Sequence, residues 1–370
     1  MRIVKYKYSD GPAGGWDYSE IELGNINLIV GETGSGKTRF LNTVFNIGSI
    51  IRNGRQASRG YWDIELSVNN TTYLWSYKNS SGSAIDSESL IRIKNGKKDI
   101  LVSRTTDEFL FHGKKLPKLS SQIPAIQLLK EEEDIKDIFD GFGKIARRSF
   151  FSDEMERAAA FSAIPTALQN NLAQSKNSAL LYDHPLSLRL YLLRNNFKDK
   201  YNQICGYYKS IFTNVESFDF PKASTLNLPV EISDSSKTPV FAIKEKKVPQ
   251  LIGIHELSSG MQKVLLLLTD IMTLPEGWIY LLDEYENSLG INAINFLPEF
   301  LDQHGGGNQF IITTHHPYLI NNMPIKNWYV FHRNGSKVDI KYGKELEERY
   351  GKSKQKAFIQ LMNDPIYTGV

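Results

Sequence analysis

Gly31-Glu32-Thr33-Gly34-Ser35-Gly36-Lys37-Thr38 follows directly on the apolar run Asn27-Leu28-Ile29-Val30. It opens a stretch, Arg39 to Ile51, whose apolar residues Phe40, Leu41, Val44, Phe45 and Ile47 recur at helical spacing. A strand, a glycine-rich loop ending in Lys-Thr and a helix, in that order, make the arrangement of a phosphate-binding loop. Glycines let the backbone curl so that successive N–H groups face phosphate oxygens, and the helix N-terminus adds partial positive charge. Lys37 then offers a point charge to the β- and γ-phosphates of ATP, and Thr38 a hydroxyl to Mg²⁺. Gly31, Glu32, Thr33, Gly34, Ser35, Gly36, Lys37 and Thr38, with Arg39 next in line, are the expected nucleotide-binding residues.

Much further along, Trp278-Ile279-Tyr280-Leu281-Leu282 is an apolar run that ends in Asp283-Glu284. A buried strand there delivers Asp283 to the rim of a sheet, beside the phosphate loop if the two strands are neighbours. With Thr38, Asp283 is the expected metal ligand, directly or through water. Glu284 falls on the other side of the pleat, where a carboxylate can polarise a water in line with the γ-phosphate. Taken alone the pair also reads as a solvated strand end; the upstream loop favours the site.

Around these motifs the periodicity changes several times. Ile3 to Tyr8 and Glu20 to Leu23 read as strands, and a meander follows at Tyr61 to Val68, Thr71 to Tyr77, Leu90 to Ile93 and Ile100 to Val102. From Glu131 to Thr213 the spacing is helical (Ile135, Ile138, Phe139; Leu186, Leu190, Leu193), without the sustained heptads of a coiled-coil arm. Strand-like pieces return at Leu226 to Ile232, Val240 to Ile243 and Leu251 to Ile254. Helices at Gly260 to Thr273 and Ile291 to Gln303 then alternate with strands at Trp278 to Leu282 and Gln309 to Thr313, which indicates a partly parallel sheet covered on both faces.

Three further stretches carry a family resemblance. Glu256-Leu257-Ser258-Ser259-Gly260-Met261-Gln262 resembles the signature of ABC ATPases, Tyr285-Glu286-Asn287-Ser288-Leu289 the loop that follows their catalytic acid, and Ile311-Ile312-Thr313-Thr314-His315-His316-Pro317 their switch-histidine segment. In this order the motifs look like the soluble ABC-type ATPases related to the SMC, RecF and OLD proteins, and most like the stand-alone ATPases of bacterial anti-phage systems. The resemblance covers Met1 to Gly54 and Ile254 to Phe331. It implies an α/β P-loop fold of ABC type: a mixed central sheet with an antiparallel β subdomain and a helical insertion, divided at 1–130, 131–225 and 226–370. It further implies ATPase activity with Glu284, His315 and Lys37 as catalytic residues, ATP and Mg²⁺ as ligands, and a homodimer closed head to tail on two ATP molecules. Ser258, Ser259 and Gly260 would then bind the γ-phosphate held by the other subunit, and assemblies above a dimer stay open.

Departures from the pattern are visible. Ser259 stands where the family keeps glycine, Met261 where glutamine is common, and Gly290-Ile291 replaces a frequent His-Pro. Gln122 and Gln127 are the two candidates for the glutamine that lines the attacking water. Trp16 reads either as an aromatic under adenine or as a core residue, and His316 as a neighbour of the switch.

The bulk composition excludes little. Lys and Arg number 44 against 41 Asp and Glu, a balance that neither requires nor forbids nucleic acid. Basic runs at Arg92 to Lys98, Lys114-Lys115, Arg147-Arg148, Lys244 to Lys247 and Lys352 to Lys356 read as solvated faces or as a nucleic-acid track, and the acidic run Glu131 to Asp134 as an exposed first helical turn. The single Cys205 cannot form an internal disulfide. A charged start, and an apolar maximum at Val264 to Leu268 far below the ~18 residues of a membrane span, set the expected location as cytoplasmic. The residues after the switch histidine, His315, are expected to be too few for the nuclease domain that OLD proteins carry there, which would place any destructive activity in a partner such as a nuclease or toxin. The expectation is thus an ATP-driven switch controlling an effector in anti-phage defence, against the alternative of a DNA repair or maintenance ATPase.

Overall fold

Strands buried on both faces are largely apolar, and three runs fit this, with Asn27, Gln309 and Thr313 as their buried polar residues. Ile279–Leu282 and Gln309–Thr313 are buried at every position and Ile26–Val30 at four of its five. The computed structural model describes residues 1–11, 14–54, 59–148, 161–226, 228, 238–284, 286, 287, 289–350, 359–361 and 363.

These strands pair in parallel, Leu282 opposite Ile312 and Thr313 opposite Ile29, with Trp328–Asn334 continuing the parallel set beyond Ile26–Val30. On the other side Ile145–Arg148 lies parallel to Ile279–Leu282, Arg148 opposite Leu282. The sheet then runs from Trp328–Asn334 through Lys337–Tyr342 and Asp17–Glu22 to Arg2–Ser9. It ends in the antiparallel run Gly60–Val68, Thr71–Asn79, Ser87–Lys94, Lys97–Thr105, Phe109–Phe111 and Lys114–Lys115, fourteen strands among the described residues. Gly60–Val68 and Thr71–Asn79 bury every second residue, the alternation of a sheet with one face on a core. A separate three-stranded antiparallel sheet joins Val215–Asp219, Ala242–Glu245 and Leu251–Gly253. The α/β class with a mixed central sheet and an antiparallel extension is therefore the observed one.

The helix Lys37–Asn53 lays Phe40, Leu41, Val44, Ile47 and Ile51 into the core and stops at Gly54, whose φ of 60° is the left-handed cap that glycine adopts without penalty. Within the stretch of helical spacing, Glu133–Phe142, Thr166–Ser175, Leu186–Asn196 and Lys198–Ile211 are helices. The four residues Ile145–Arg148 between them are instead an edge strand of the main sheet. The strand-like reading of Leu226 to Ile232 falls mostly outside the described residues. Among the described residues no helix is long and apolar enough to cross a membrane.

The chain divides into two compact units. The first comprises Met1–Arg148, Gly277–Tyr285 and Gly307–Val370, the second Ser149–Glu276 and Glu286–Gly306. Inside the second, the helices Leu186–Asn196 and Ser259–Thr273 are joined by a fully buried ion pair, Arg189 Nη2 donating to Asp270 Oδ1 at 2.5 Å. The same nitrogen reaches Thr273 Oγ1 at 3.4 Å, and the guanidinium stands 5.9 Å from the Tyr182 ring. Two charges out of water hold only while each satisfies the other. Arg189→Met, which takes the guanidinium from a buried carboxylate, is expected to cost ~3–5 kcal/mol, whereas Arg189→Met combined with Asp270→Leu recovers most of the loss. Urea unfolding followed by circular dichroism measures both, and an equal loss in the single and double variants would contradict this account.

Candidate functional site

The phosphate loop is shaped by what packs around its glycines. Gly36, at φ 96°, caps the helix Lys37–Asn53 without a side-chain hydrogen bond, which leaves the first-turn N–H groups to the loop itself. A Cβ on Gly36 would stand 2.5 Å from the Trp16 ring and 2.8 Å from the Tyr18 hydroxyl, so no other residue fits. Tyr18 donates to the Gly36 carbonyl at 2.9 Å and fixes the turn. Gly31, at φ 152°, is similarly closed off by the Phe331 carbonyl at 2.5 Å. Lys37 is buried, its ammonium donating to the carbonyls of Gly31 and Glu32, both at 2.8 Å. Its positive charge thus lies under the loop, where a phosphate anion would be drawn.

Trp16 is half-buried beside Gly36 and has two guanidinium groups near its ring. Arg333 stands 4.2 Å and Arg39 5.6 Å from its ring centre, and the indole stacks on Tyr18. Arg39 donates from its one nitrogen Nη2 to both carboxylate oxygens of Asp10, at 3.0 and 2.9 Å. Burial works against the charge on Asp10, but hydrogen bonds from Tyr8, the Trp16 N–H and Arg39 outweigh it and hold its carboxyl below the usual range. Arg333 also donates to the Gly34 carbonyl at 3.3 Å, on the rim of an open cleft of about 380 Å³ lined by Glu32 to Ser35, Phe331 to Arg333 and Gly335.

The strands Ile279–Leu282 and Ile26–Val30 are not neighbours, since Gln309–Thr313 lies between them. Asp283 nevertheless reaches the phosphate loop, because the intervening strand ends level with both and contributes Thr313. Asp283 Oδ1 accepts from Thr38 Oγ1 at 3.0 Å and Thr313 Oγ1 at 2.7 Å. Its Oδ2 accepts from Arg147 Nη2 at 3.2 Å. Two oxygens 3.0 Å apart from Thr38 and Asp283, with no His or Cys, suit a hard cation that keeps water and phosphate as its remaining ligands, as Mg²⁺ does. Among the described residues no group of three or more His, Cys, Asp or Glu forms a dedicated metal cage.

Glu284 is not set by the pleat. The strand stops at Leu282, and Glu284 sits in the left-handed region at φ 45°, held there by its N–H donating to Thr313 Oγ1 at 2.9 Å. A residue with a Cβ in that region stores of order 1–3 kcal/mol, a strain that recurs at working sites. The turn aims the Glu284 carboxylate toward His315, Oε1 to Nε2 at 3.7 Å, with both side chains about a third exposed. His316 has a different task. Its Nδ1 accepts from the Tyr318 N–H at 3.3 Å and caps the short helix Pro317–Asn322.

In the second unit Ser258 caps the helix Ser259–Thr273, its hydroxyl accepting from the Met261 N–H at 3.3 Å, while Ser258 and Ser259 are exposed. Gln262 turns back to donate to the carbonyls of Ile254 (2.7 Å) and Leu257 (3.2 Å), which clamps the turn from behind. The buried Lys263 donates to the Asn287 carbonyl at 2.6 Å. Tyr285 and Ser288 of the neighbouring motif, and the basic run Lys352 to Lys356, lie outside the described residues.

Neither glutamine candidate meets the site. Gln127 packs against Gly54, at the far end of the helix from the phosphate loop, a length of ~25 Å for its 17 residues. Gln122 is exposed in a loop of the meander. The residue that does arrive is Arg147, read from sequence as part of a basic run. The signal that could have located it is the apolar pair Ile145-Ala146 ahead of two arginines, a strand too short to stand out.

The family model described as "AAA domain, putative AbiEii toxin, Type IV TA system" matches residues 26–321. Among solved structures the chain is similar to the SMC head bound to the C-winged helix domain of ScpA, with 12% identity over 92% of this chain and 97% of that one and a TM-score of 0.50. It also aligns with an SMC head domain from Thermotoga maritima (13% identity, 92% and 99% covered, TM-score 0.42) and with one derived from Pyrococcus furiosus (11%, 94% and 98%, 0.46). Only the first bears on the fold, and at that identity on nothing else. No curated protein matches.

Thr313 serves two partners at once, so its loss should be felt beyond its size. Thr313→Val removes a donor from the buried Asp283 carboxylate and an acceptor from the Glu284 N–H, and is expected to destabilise by ~1–3 kcal/mol. Thr313→Ser restores the hydroxyl and most of the stability. Chemical denaturation of the three proteins is the measurement, and a valine variant as stable as the parent would remove the threonine from this role.

Proposed function

The chain belongs to this AAA domain family, as a P-loop ATPase with an SMC-head-like fold, and we propose that it is an ATP-driven switch that hydrolyses ATP and controls a partner effector. The observation that carries the reading is the meeting of Thr38, Asp283, Thr313, Glu284 and His315 where three adjacent parallel strands end behind the phosphate loop.

Each residue has a task that its surroundings support. The loop N–H groups and Lys37 take the β- and γ-phosphates, Lys37 exchanging two carbonyl partners for phosphate oxygens. Thr38 and Asp283 would hold Mg²⁺, which would supply positive charge against the phosphates. Glu284, turned out of the strand, accepts a hydrogen bond from the attacking water and draws off its proton. His315 donates from the end of its strand to the γ-phosphate. Ser258, with the N–H groups of Ser259 and Gly260 at an exposed helix start, binds the γ-phosphate held by a second copy of the chain. ATP then closes a head-to-tail homodimer and hydrolysis opens it.

A switch needs something to act on. The family description names a putative toxin, and a nuclease or toxin partner in anti-phage defence is the effector proposed for this chain, which would act in the cytoplasm. A DNA-maintenance role is the second reading, resting on the likeness to an SMC head; fold alone does not carry function, and steep salt-dependent stimulation of ATPase activity by DNA would favour it.

If Glu284 orients the water, Glu284→Gln keeps ATP binding but slows hydrolysis by about 10²-fold or more, because the amide cannot take the proton. The same variant should elute as a dimer with ATP on sizing chromatography. A monomer there would contradict the composite site, and unchanged turnover would remove Glu284 as the base.

A further inference from the structure

Asp283 has a partner that the motifs do not assign. The strand Ile145–Arg148 pairs in register with Ile279–Leu282, Arg147 opposite Leu281 and Arg148 opposite Leu282. The Asp283 N–H continues the ladder by donating to the Arg148 carbonyl at 3.0 Å. This pairing brings the Arg147 side chain to the rim where Thr38, Asp283 and Thr313 meet. Its guanidinium contacts Asp283 Oδ2 at 3.2 Å and stands 5.9 Å from the ring of Phe45, on the helix that begins at Lys37. Arg147 is about one-fifth exposed, whereas Asp283 is buried. A charge therefore waits on the open side of the metal-ligating carboxylate.

We propose that Arg147 neutralises Asp283 before nucleotide arrives and transfers to the terminal phosphoryl group of ATP once Mg²⁺ occupies the carboxylate. The inference rests on the ATP reading above. A divalent ion on Asp283 replaces the counter-charge that Arg147 supplies and repels a guanidinium left at 3.2 Å. The nearest new anion is the terminal phosphate of a nucleotide seated on the loop that ends at Thr38, itself 3.0 Å from Asp283. A planar guanidinium with several donors fits that phosphate's oxygens in two-pronged fashion. ADP offers no such group. Arg147 is thereby a residue that tells triphosphate from diphosphate, at the end of the strand Ile145–Arg148.

Equilibrium binding of a non-hydrolysable ATP analogue and of ADP, each with Mg²⁺, tests this without relying on turnover. Arg147→Gln is expected to weaken the ATP analogue by ~10-fold or more, as expected for loss of a charge-assisted hydrogen bond, and to leave ADP within about twofold of the parent. Arg147→Lys, which keeps the charge but not the fork, should fall between the two. It also carries the test if thermal unfolding shows the glutamine variant misfolded. Equal losses for ATP analogue and ADP would reduce Arg147 to a structural pair, and unchanged affinity for both would overturn the proposal outright. A parent protein that binds neither nucleotide would sink the ATP reading itself, a result separate from both.

Discussion

A carboxylate buried to 1% exposure must have its charge answered locally, and the arrangement around Asp283 is the answer on which the site depends. Thr38 comes from the phosphate loop, Thr313 from the neighbouring strand and Arg147 from the sheet edge, so three strands and one helix start must all end at the same level. Only parallel strands deliver their C-terminal ends to one rim, and parallel strands need covered faces and crossover connections. The apolar, fully buried strands that make this sheet are thus the condition for placing a single charge.

The same reasoning applies to the loop in front of it. Its shape does not wait for a ligand, because Tyr18, Trp16 and Phe331 close off every alternative to glycine at Gly36 and Gly31. Lys37 is already drawn under the loop by two carbonyls, which cost little to exchange for a stronger anionic partner. Pre-shaping of this kind lowers the ordering cost of binding. Glu284 is the opposite case, a residue in a strained turn whose N–H donates to the Thr313 hydroxyl.

What was legible in the sequence was whatever local chemistry dictates. Gly31 to Thr38 declares itself because a phosphate cradle needs those glycines between a strand and a helix, and Asp283-Glu284 because two carboxylates end an apolar run. The serine at 258 similarly matches a helix start, and it does cap one. Long-range pairing left no such mark. Ile145–Arg148 is four residues long, inside a helical stretch, and becomes a strand only because Ile279–Leu282 offers an unpaired edge. Without that pairing Arg147 looks like any surface base, and Gln127, on a short helix, looks as eligible as any other glutamine. The orientation of Glu284 departs from the pleat for a related reason. The pleat argument holds only while the strand continues, and a hydrogen bond from a strand distant in sequence ends it.

Each passage of the chain between its two units adjoins, in sequence, a segment that carries a site residue. The passage from Arg148 to Ser149 follows the end of a site strand, and the passage from Tyr285 to Glu286 comes just beyond Glu284. The remaining passages, at 276–277 and 306–307, lead into the strands that carry Asp283 and Thr313. In the second unit the exposed turn at Ser258 is clamped by Gln262, and the next residue, Lys263, is tied to the carbonyl of Asn287, three positions beyond Glu284. That hydrogen bond ties the helix that starts at Ser259 to the loop around Asn287 within the second unit. The stretch of chain from Glu284 to Asn287 is the covalent route by which the proposed binding at Ser258 would reach the acid.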